Sequence, residues 1–151
     1  SLMTPKNFEI YKKSVINNFK FLKATKNIQD VFLRAIPIEN LGFLIPLSES
    51  HVADTTLIQD LTEWRNKNIH VYTTQFVATF ESTKSWLREK VLSVDDRMLF
   101  LVTDNQGKIL GHMGFSNCLN SQFLFEIDNV LKGEDSLFKG LFFCFFLLLY
   151  K

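Results

Sequence analysis

The stretch MLFLVTDNQGKILGHMGF, residues 98–115, decides the fold that the sequence predicts. Its two apolar runs, at 98–103 and 108–115, flank a polar tetrapeptide, Asp-Asn-Gln-Gly, at 104–107. Strand-forming residues on both sides of such a turn predict a β-hairpin. A third strand predicted at 123–130, after the polar residues 116–122, extends the hairpin into an antiparallel meander.

The residues before this meander predict one strand and two helices. An apolar run at 43–47 predicts a strand, and Ser48, Glu49 and Ser50 suit its end and the start of a helix. Apolar residues at helical spacing follow: Leu57, Leu61 and Trp64 in the first helix, and Trp86, Leu87 and Val91 in a second helix near 80–92. The order predicts an α+β fold, with a largely antiparallel sheet flanked by helices.

The N-terminal residues predict an added helical extension, so we divide the chain into an extension at 1–40 and a domain at 41–151. Thr4 and Pro5 suit a helix start, and Asn40 with Gly42 marks a break. A short helix is predicted at 28–34. The first helix carries an apolar stripe: Phe8, Tyr11, Val15, Phe19 and Leu22. This stripe must pack on the domain or on another chain, and both remain open.

The composition is typical of one soluble domain with a core, since 46% of its 151 residues are hydrophobic and 22% are charged. With 17 Lys and Arg against 16 Asp and Glu, the net charge is +1, so no nucleic-acid partner is expected. Cys118 and Cys144 are interpreted as free thiols, and the first residues do not resemble a signal peptide. Both observations predict a cytoplasmic protein. No metal is expected, because the three histidines, at 51, 70 and 112, have no ligand spacing.

Three segments, in this order, resemble the N-acetyltransferases of the GNAT superfamily. They are EWRN at 63–66, GKILGHMG at 107–114 and EIDNVLKG at 126–133. The resemblance covers about residues 41–141. It is greatest to bacterial members that acetylate amino groups of small molecules, including the amino sugars of nucleotide-linked saccharides. The resemblance therefore implies transfer of an acetyl group from acetyl-CoA to a primary amine of a small molecule.

The resemblance also implies where acetyl-CoA would bind. Backbone groups of Asn129, Val130 and Leu131 correspond to the strand end that pairs with the pantetheine arm. A following loop and helix start would present backbone N–H groups to the pyrophosphate. The residues implied for this second part of the cofactor site are Lys132, Gly133, Lys139, Gly140 and Leu141.

A carboxylate near the amine could accept its proton during acetyl transfer. Glu126 is the first candidate for this general base and Asp128 the second, since alternate residues share one face of a strand. The competing interpretation is that one of them faces solvent or pairs with Arg65. Arg65 and Asn66 are candidates for binding the acceptor. His112 is a third candidate, or simply a buried histidine with a satisfied hydrogen bond, whereas Trp64 is interpreted as a core residue.

The sequence departs from the family at 137–142, where LFKGLF stands against the pattern Gln/Arg-x-x-Gly-x-Gly/Ala. Gly140 matches, but Phe142 replaces a small residue that lets phosphate approach the backbone. The tail at 141–150, LFFCFFLLLY, is apolar all round but shorter than the about 20 residues of a membrane span, so no membrane partner is expected. The second half of the family's fold is missing, and our hypothesis is a reading frame altered or truncated near residue 141.

Two functions therefore stay open. The first is an N-acetyltransferase whose cofactor site is incomplete and needs a second chain. The second is a non-catalytic oligomerisation or binding module derived from the same fold. In both, an exposed sheet edge and the apolar tail predict a homo-oligomer.

Overall fold

The computed structural model of the chain describes residues 4–71, 75–119 and 126–132, the last of these by its backbone alone. The helices are α1 (Pro5–Lys23), α2 (Glu49–Val52), α3 (Thr55–Lys67) and α4 (Phe80–Trp86), which continues as a π-helical turn at Leu87–Leu92. Short 3-10 helices span Ile28–Arg34 and Ile69–Val71. The strands are β1 (Ile36–Ile38), β2 (Gly42–Pro46), β3 (Met98–Thr103), β4 (Ile109–Ser116) and β5 (Glu126–Lys132). The predicted α+β class is confirmed.

Among the described residues, the strands form one sheet in the order β1-β2-β3-β4-β5, and every neighbouring pair is antiparallel. The predicted meander is therefore confirmed. The strand β3 has the predicted bounds, whereas β4 begins and ends one residue later than predicted. The start predicted for β5, at residues 123–125, lies outside the described residues.

The burial of both faces of the central strand β3 explains why its sequence does not alternate between apolar and polar residues. All six of its residues are buried. Met98, Phe100 and Val102 belong to the core on one face of the sheet, while Leu99 and Leu101 belong to the core on the other. A strand covered by helices on both faces is expected to be apolar on both, and the one buried polar side chain of β3, Thr103, donates a hydrogen bond to the Asp104 carbonyl at 3.0 Å.

Helix α1 covers the first of these faces. Its residues Val15, Phe19 and Leu22 pack against the core that contains Met98. The hydroxyl of Tyr11 donates to the Cys118 carbonyl at 3.0 Å. The apolar stripe of α1 therefore packs on the sheet of its own chain, which the sequence had left open. Its start is as predicted: the Thr4 side chain accepts from the Asn7 N–H at 3.1 Å, with Pro5 next.

Helices α3 and α4 cover the opposite face. Leu57, Ile58 and Leu61 of α3 are buried there with Leu87 and Val91, which follow α4. Trp64 is partly buried and packs against the same cluster, as its helical spacing predicts.

Strand β1 lies within residues 1–40 and was not predicted. Ile36, Pro37 and Ile38 pair with Leu44, Phe43 and Gly42 of β2, respectively. The tight connection between them uses positive φ angles at Asn40 and Gly42. The break that the sequence indicated at these two residues is thus a hairpin turn inside the sheet, and Ile38 is part of the core.

Candidate active site

The predicted carboxylates lie where β5 pairs with β4. Glu126 stands opposite Ser116, and Asp128 stands opposite Gly114. Further along the same pair of strands, His112 stands opposite Leu131. The register therefore brings two candidate bases and one candidate acceptor-binding residue to the same pair of strands.

The register shifts between His112 and Gly114. Because their partners are Leu131 and Asp128, the single residue Met113 faces two residues of β5, Asn129 and Val130. Such an extra residue interrupts the ladder of hydrogen bonds and leaves backbone groups unpaired within the pair of strands. The interruption falls on the two residues with which the predicted pantetheine site begins.

His112 is almost completely buried, with 4% of its surface exposed. It stands opposite Leu101 of β3 on one side and Leu131 of β5 on the other. An imidazole is a polar group that needs hydrogen-bond partners when it is buried. Whether it binds an acceptor stays a prediction.

The C-terminal end of α3 holds the other two candidates, and α3 contacts β5. The Asn66 side chain donates to the Ala78 carbonyl at 2.9 Å and accepts from the Ala78 N–H at 2.7 Å. This pair of hydrogen bonds fastens the segment 75–79 to α3. The guanidinium of Arg65 lies 4.8 Å from the centroid of the exposed Phe76 ring. Asn66 therefore positions the segment that carries Phe76, a role that its sequence context did not indicate.

A buried polar cluster at the start of α2 was also not predicted as such. The imidazole Nδ1 of His51 accepts from the Ser48 backbone N–H at 2.9 Å and lies 3.2 Å from the Ser48 hydroxyl. The Ser48 hydroxyl is 2.7 Å from the Ser50 hydroxyl, and the backbone N–H of Ser50 donates to the Thr25 carbonyl at 3.0 Å. Because Ser48 and His51 are both buried, these contacts hold the start of α2 rather than a substrate.

Burial lowers the pKa of His51 to about 4 from its ordinary value of 6.5, and nearby Asp54 opposes this shift only partly. The unfolded chain therefore takes up the proton first as the pH falls. The contribution of His51 to stability is complete above pH 6.5, and we expect about 3 kcal/mol to be lost between pH 6.5 and 4. Urea unfolding at stepped pH measures this loss.

His51→Gln should remove this contribution to the pH dependence, whereas His70→Gln, at an exposed histidine, should retain it. Equal pH dependence in the wild type and the His51→Gln variant would contradict the assignment.

Lys23, at the end of α1, is a second buried ionisable group away from β4 and β5. Its ammonium donates to the Val94 carbonyl at 2.6 Å. Burial lowers its pKa from 10.5 to about 8, although Asp95 and Asp96 raise it in part. The folded chain therefore releases this proton before the unfolded chain, so this contribution to stability rises between pH 8 and 10.5.

Part of the predicted cofactor site falls on undescribed residues. Lys132 ends β5 and stands opposite Gly111. The other predicted loop residues, together with the apolar tail and Cys144, lie outside the described residues: Gly133, Lys139, Gly140 and Leu141.

Within the ranges 4–71, 75–119 and 126–132, no group of three or more His, Cys, Asp or Glu side chains is arranged to hold a metal ion. Among the helices of these ranges, none has the length and apolar character needed to cross a membrane.

No protein-family model matches this sequence, and comparisons with curated proteins and with solved structures also give no match.

Proposed function

We propose that this chain is an acetyl-CoA-dependent N-acetyltransferase that acts on a primary amine of a small molecule. The observation that carries the proposal is the register shift opposite Met113. An extra residue at Asn129 and Val130 frees backbone groups in the middle of a paired strand, where the resemblance expects the pantetheine arm. In a regular ladder, these backbone groups would be hydrogen-bonded to β4.

The order of elements supports the same proposal. Strands β1 and β2 precede the helices α2, α3 and α4, and the three consecutive antiparallel strands β3, β4 and β5 follow. From β2 onward, this is the order of strands and helices that the sequence predicted. Helix α3, whose C-terminal end carries Arg65 and Asn66, contacts β5, which carries Glu126 and Asp128.

Acetyl-CoA would supply the thioester carbon at the interrupted part of β5. The amine nitrogen forms a bond to this carbon as the C–S bond breaks, and the thiolate of CoA leaves. The Glu126 carboxylate, or that of Asp128, takes the proton of the amine. A backbone N–H freed by the bulge can donate to the negative charge that develops on the thioester oxygen.

The end of α3 supports an acceptor that carries a negative charge beside its amine. Arg65 lies over the exposed ring of Phe76, and the segment of Phe76 is fastened by Asn66. A guanidinium beside an aromatic face suits a phosphate and a flat ring together. A nucleotide-linked amino sugar has both groups, and we propose this class of acceptor.

Isothermal titration of acetyl-CoA into the full chain tests the proposal, with the mass of the protein in solution recorded in parallel. We expect saturable binding with a micromolar Kd, and weaker binding of ATP, which shares phosphates and adenine but lacks the pantetheine arm. Absence of binding at millimolar acetyl-CoA would overturn the enzyme proposal. A defined oligomer in that case would favour the alternative, a non-catalytic oligomerisation module.

A further inference from the structure

We propose that the outer surface of α1 and the adjoining 3-10 helix form a docking face for an anionic lipid membrane. The proposal is independent of acetyl transfer, because it concerns residues 4–34 and not β4 or β5. It rests on exposed apolar side chains, on their alignment with lysines, and on the distribution of charge along the chain.

Large apolar side chains are exposed on this face. Ile10 is 58% exposed, Phe21 is 59% exposed and Leu33 is 82% exposed. Ile10 and Phe21 are 11 residues apart, about three helical turns, so they lie on one stripe of α1. Phe21 and Leu33 line the same open cleft of about 710 Å³ between the end of α1 and the 3-10 helix. The three side chains therefore form one surface.

Lysines run beside this stripe. Lys6, Lys13 and Lys20 are all exposed and recur every seven residues, which places them on one line along α1. Lys6 and Lys13 are also four and three residues from Ile10, so they adjoin it. Lys26 and Arg34 line the cleft with Phe21, together with one acidic residue, Asp30. Basic residues beside exposed apolar ones are typical of helices that lie in a membrane interface.

Positive charge is concentrated at residues 4–34, which favours turning this face toward a negatively charged surface. Residues 4–34 contain seven of the 17 basic residues and two of the 16 acidic residues. One of these two, Glu9, pairs with Lys12 at 2.5 Å. The rest of the chain has an excess of acidic residues. A negatively charged surface would therefore attract the α1 side and repel the remainder.

An anionic membrane explains the exposed groups better than a nucleic acid does. Both attract lysines, but Ile10 and Leu33 are aliphatic and give bases nothing to stack on, and the Arg34 guanidinium, 4.0 Å from the ring centroid, covers one face of Phe21. Acyl chains and the headgroup boundary accept such aliphatic side chains. The sequence argued against a membrane partner only because the apolar tail is too short to span a bilayer. Docking of this face on the membrane surface requires no spanning segment.

Co-sedimentation of the full chain with vesicles tests the proposal. We expect binding to vesicles of phosphatidylcholine mixed with phosphatidylserine, and much weaker binding to vesicles of phosphatidylcholine alone. Raising the salt concentration from about 0.1 to about 0.5 M should weaken the binding, because exposed charges are screened. Absence of binding to the anionic vesicles, or equal binding to both kinds, would overturn the proposal.

Two variants separate the contributions of charge and apolar contact. Lys6, Lys13 and Lys20 changed together to Gln should weaken binding roughly 100-fold, at about five-fold for each lysine. Leu33→Ser should weaken it about 10-fold. The matched controls change exposed residues elsewhere: Lys67, Arg88 and Lys90 to Gln for the charge, and Val77→Ser for the apolar contact.

Equal losses in the variants and in their controls would overturn the proposed face. Binding to soluble poly-glutamate without binding to vesicles would also overturn it, in favour of an acidic protein partner. Circular dichroism confirms that each variant is folded, and because all the substituted side chains are exposed, we expect unchanged melting.

Discussion

Gly42→Ala should lower the free energy of unfolding by about 3–4 kcal/mol and the melting temperature by roughly 10 °C. Gly42 begins β2 with a φ of +154°, and a Cβ atom built on it would lie 1.8 Å from the Thr103 carbonyl oxygen. This oxygen belongs to the backbone of β3, so it can move only if the pairing of β2 with β3 is distorted. Thermal and urea unfolding measure the loss.

Gly107→Ala is the matched control for this glycine. Gly107 also has a positive φ, of +84°, but its added Cβ would meet the end of the Phe32 side chain at 3.1 Å. A side chain can turn aside where a strand cannot, so we expect a loss of about 1 kcal/mol, mainly from the backbone angle. Similar losses in the two variants would show that close packing against β3 is not the cause.

Glu126→Gln should lower the kcat of acetyl transfer by about 10²- to 10⁴-fold, provided that the chain binds acetyl-CoA. Glutamine keeps the shape of the side chain but cannot take the proton of the amine. The affinity for acetyl-CoA should stay close to that of the wild type, because the proposed cofactor contacts are backbone groups of Asn129 and Val130. Release of the CoA thiol measures kcat, and calorimetry measures affinity.

Asp128→Asn is the control that distinguishes the two carboxylates. It removes the same charge two residues away on β5, and we expect a smaller loss of kcat if Glu126 is the base. A larger loss in Asp128→Asn would reverse the assignment. Unchanged kcat in both variants would remove both residues from the mechanism.

The sequence predicted those elements whose own residues determine them. The β3–β4 hairpin followed from two apolar runs around Asp-Asn-Gln-Gly, and α1 followed from its cap and apolar stripe. Strand β1 could not be predicted in this way. It has three residues with proline in the middle, so it depends on pairing with β2 rather than on local preference.

The candidate site was predictable as a set of residue types but not as an arrangement. Glu126 and Asp128 were candidates because alternate residues of a strand share one face, where a carboxylate could accept the proton of an amine. The shift opposite Met113 depends on how two strands align, and this cannot be read from either strand alone. The hydrogen bonds between Asn66 and Ala78 join residues 12 apart, so they depend on the path of the chain between helices.

Helix α1 packs against strands that are synthesised after it. Consecutive strands pair with one another, so the sheet can grow strand by strand as the polypeptide leaves the ribosome. Helix α1 leaves before every strand of the sheet, yet its packing partners include residues of β3 and β4, and its Tyr11 hydrogen bond reaches 107 residues ahead. Its apolar stripe is therefore exposed until β3 and β4 have been synthesised, and exposed apolar surface of this kind is what chaperones bind on nascent chains.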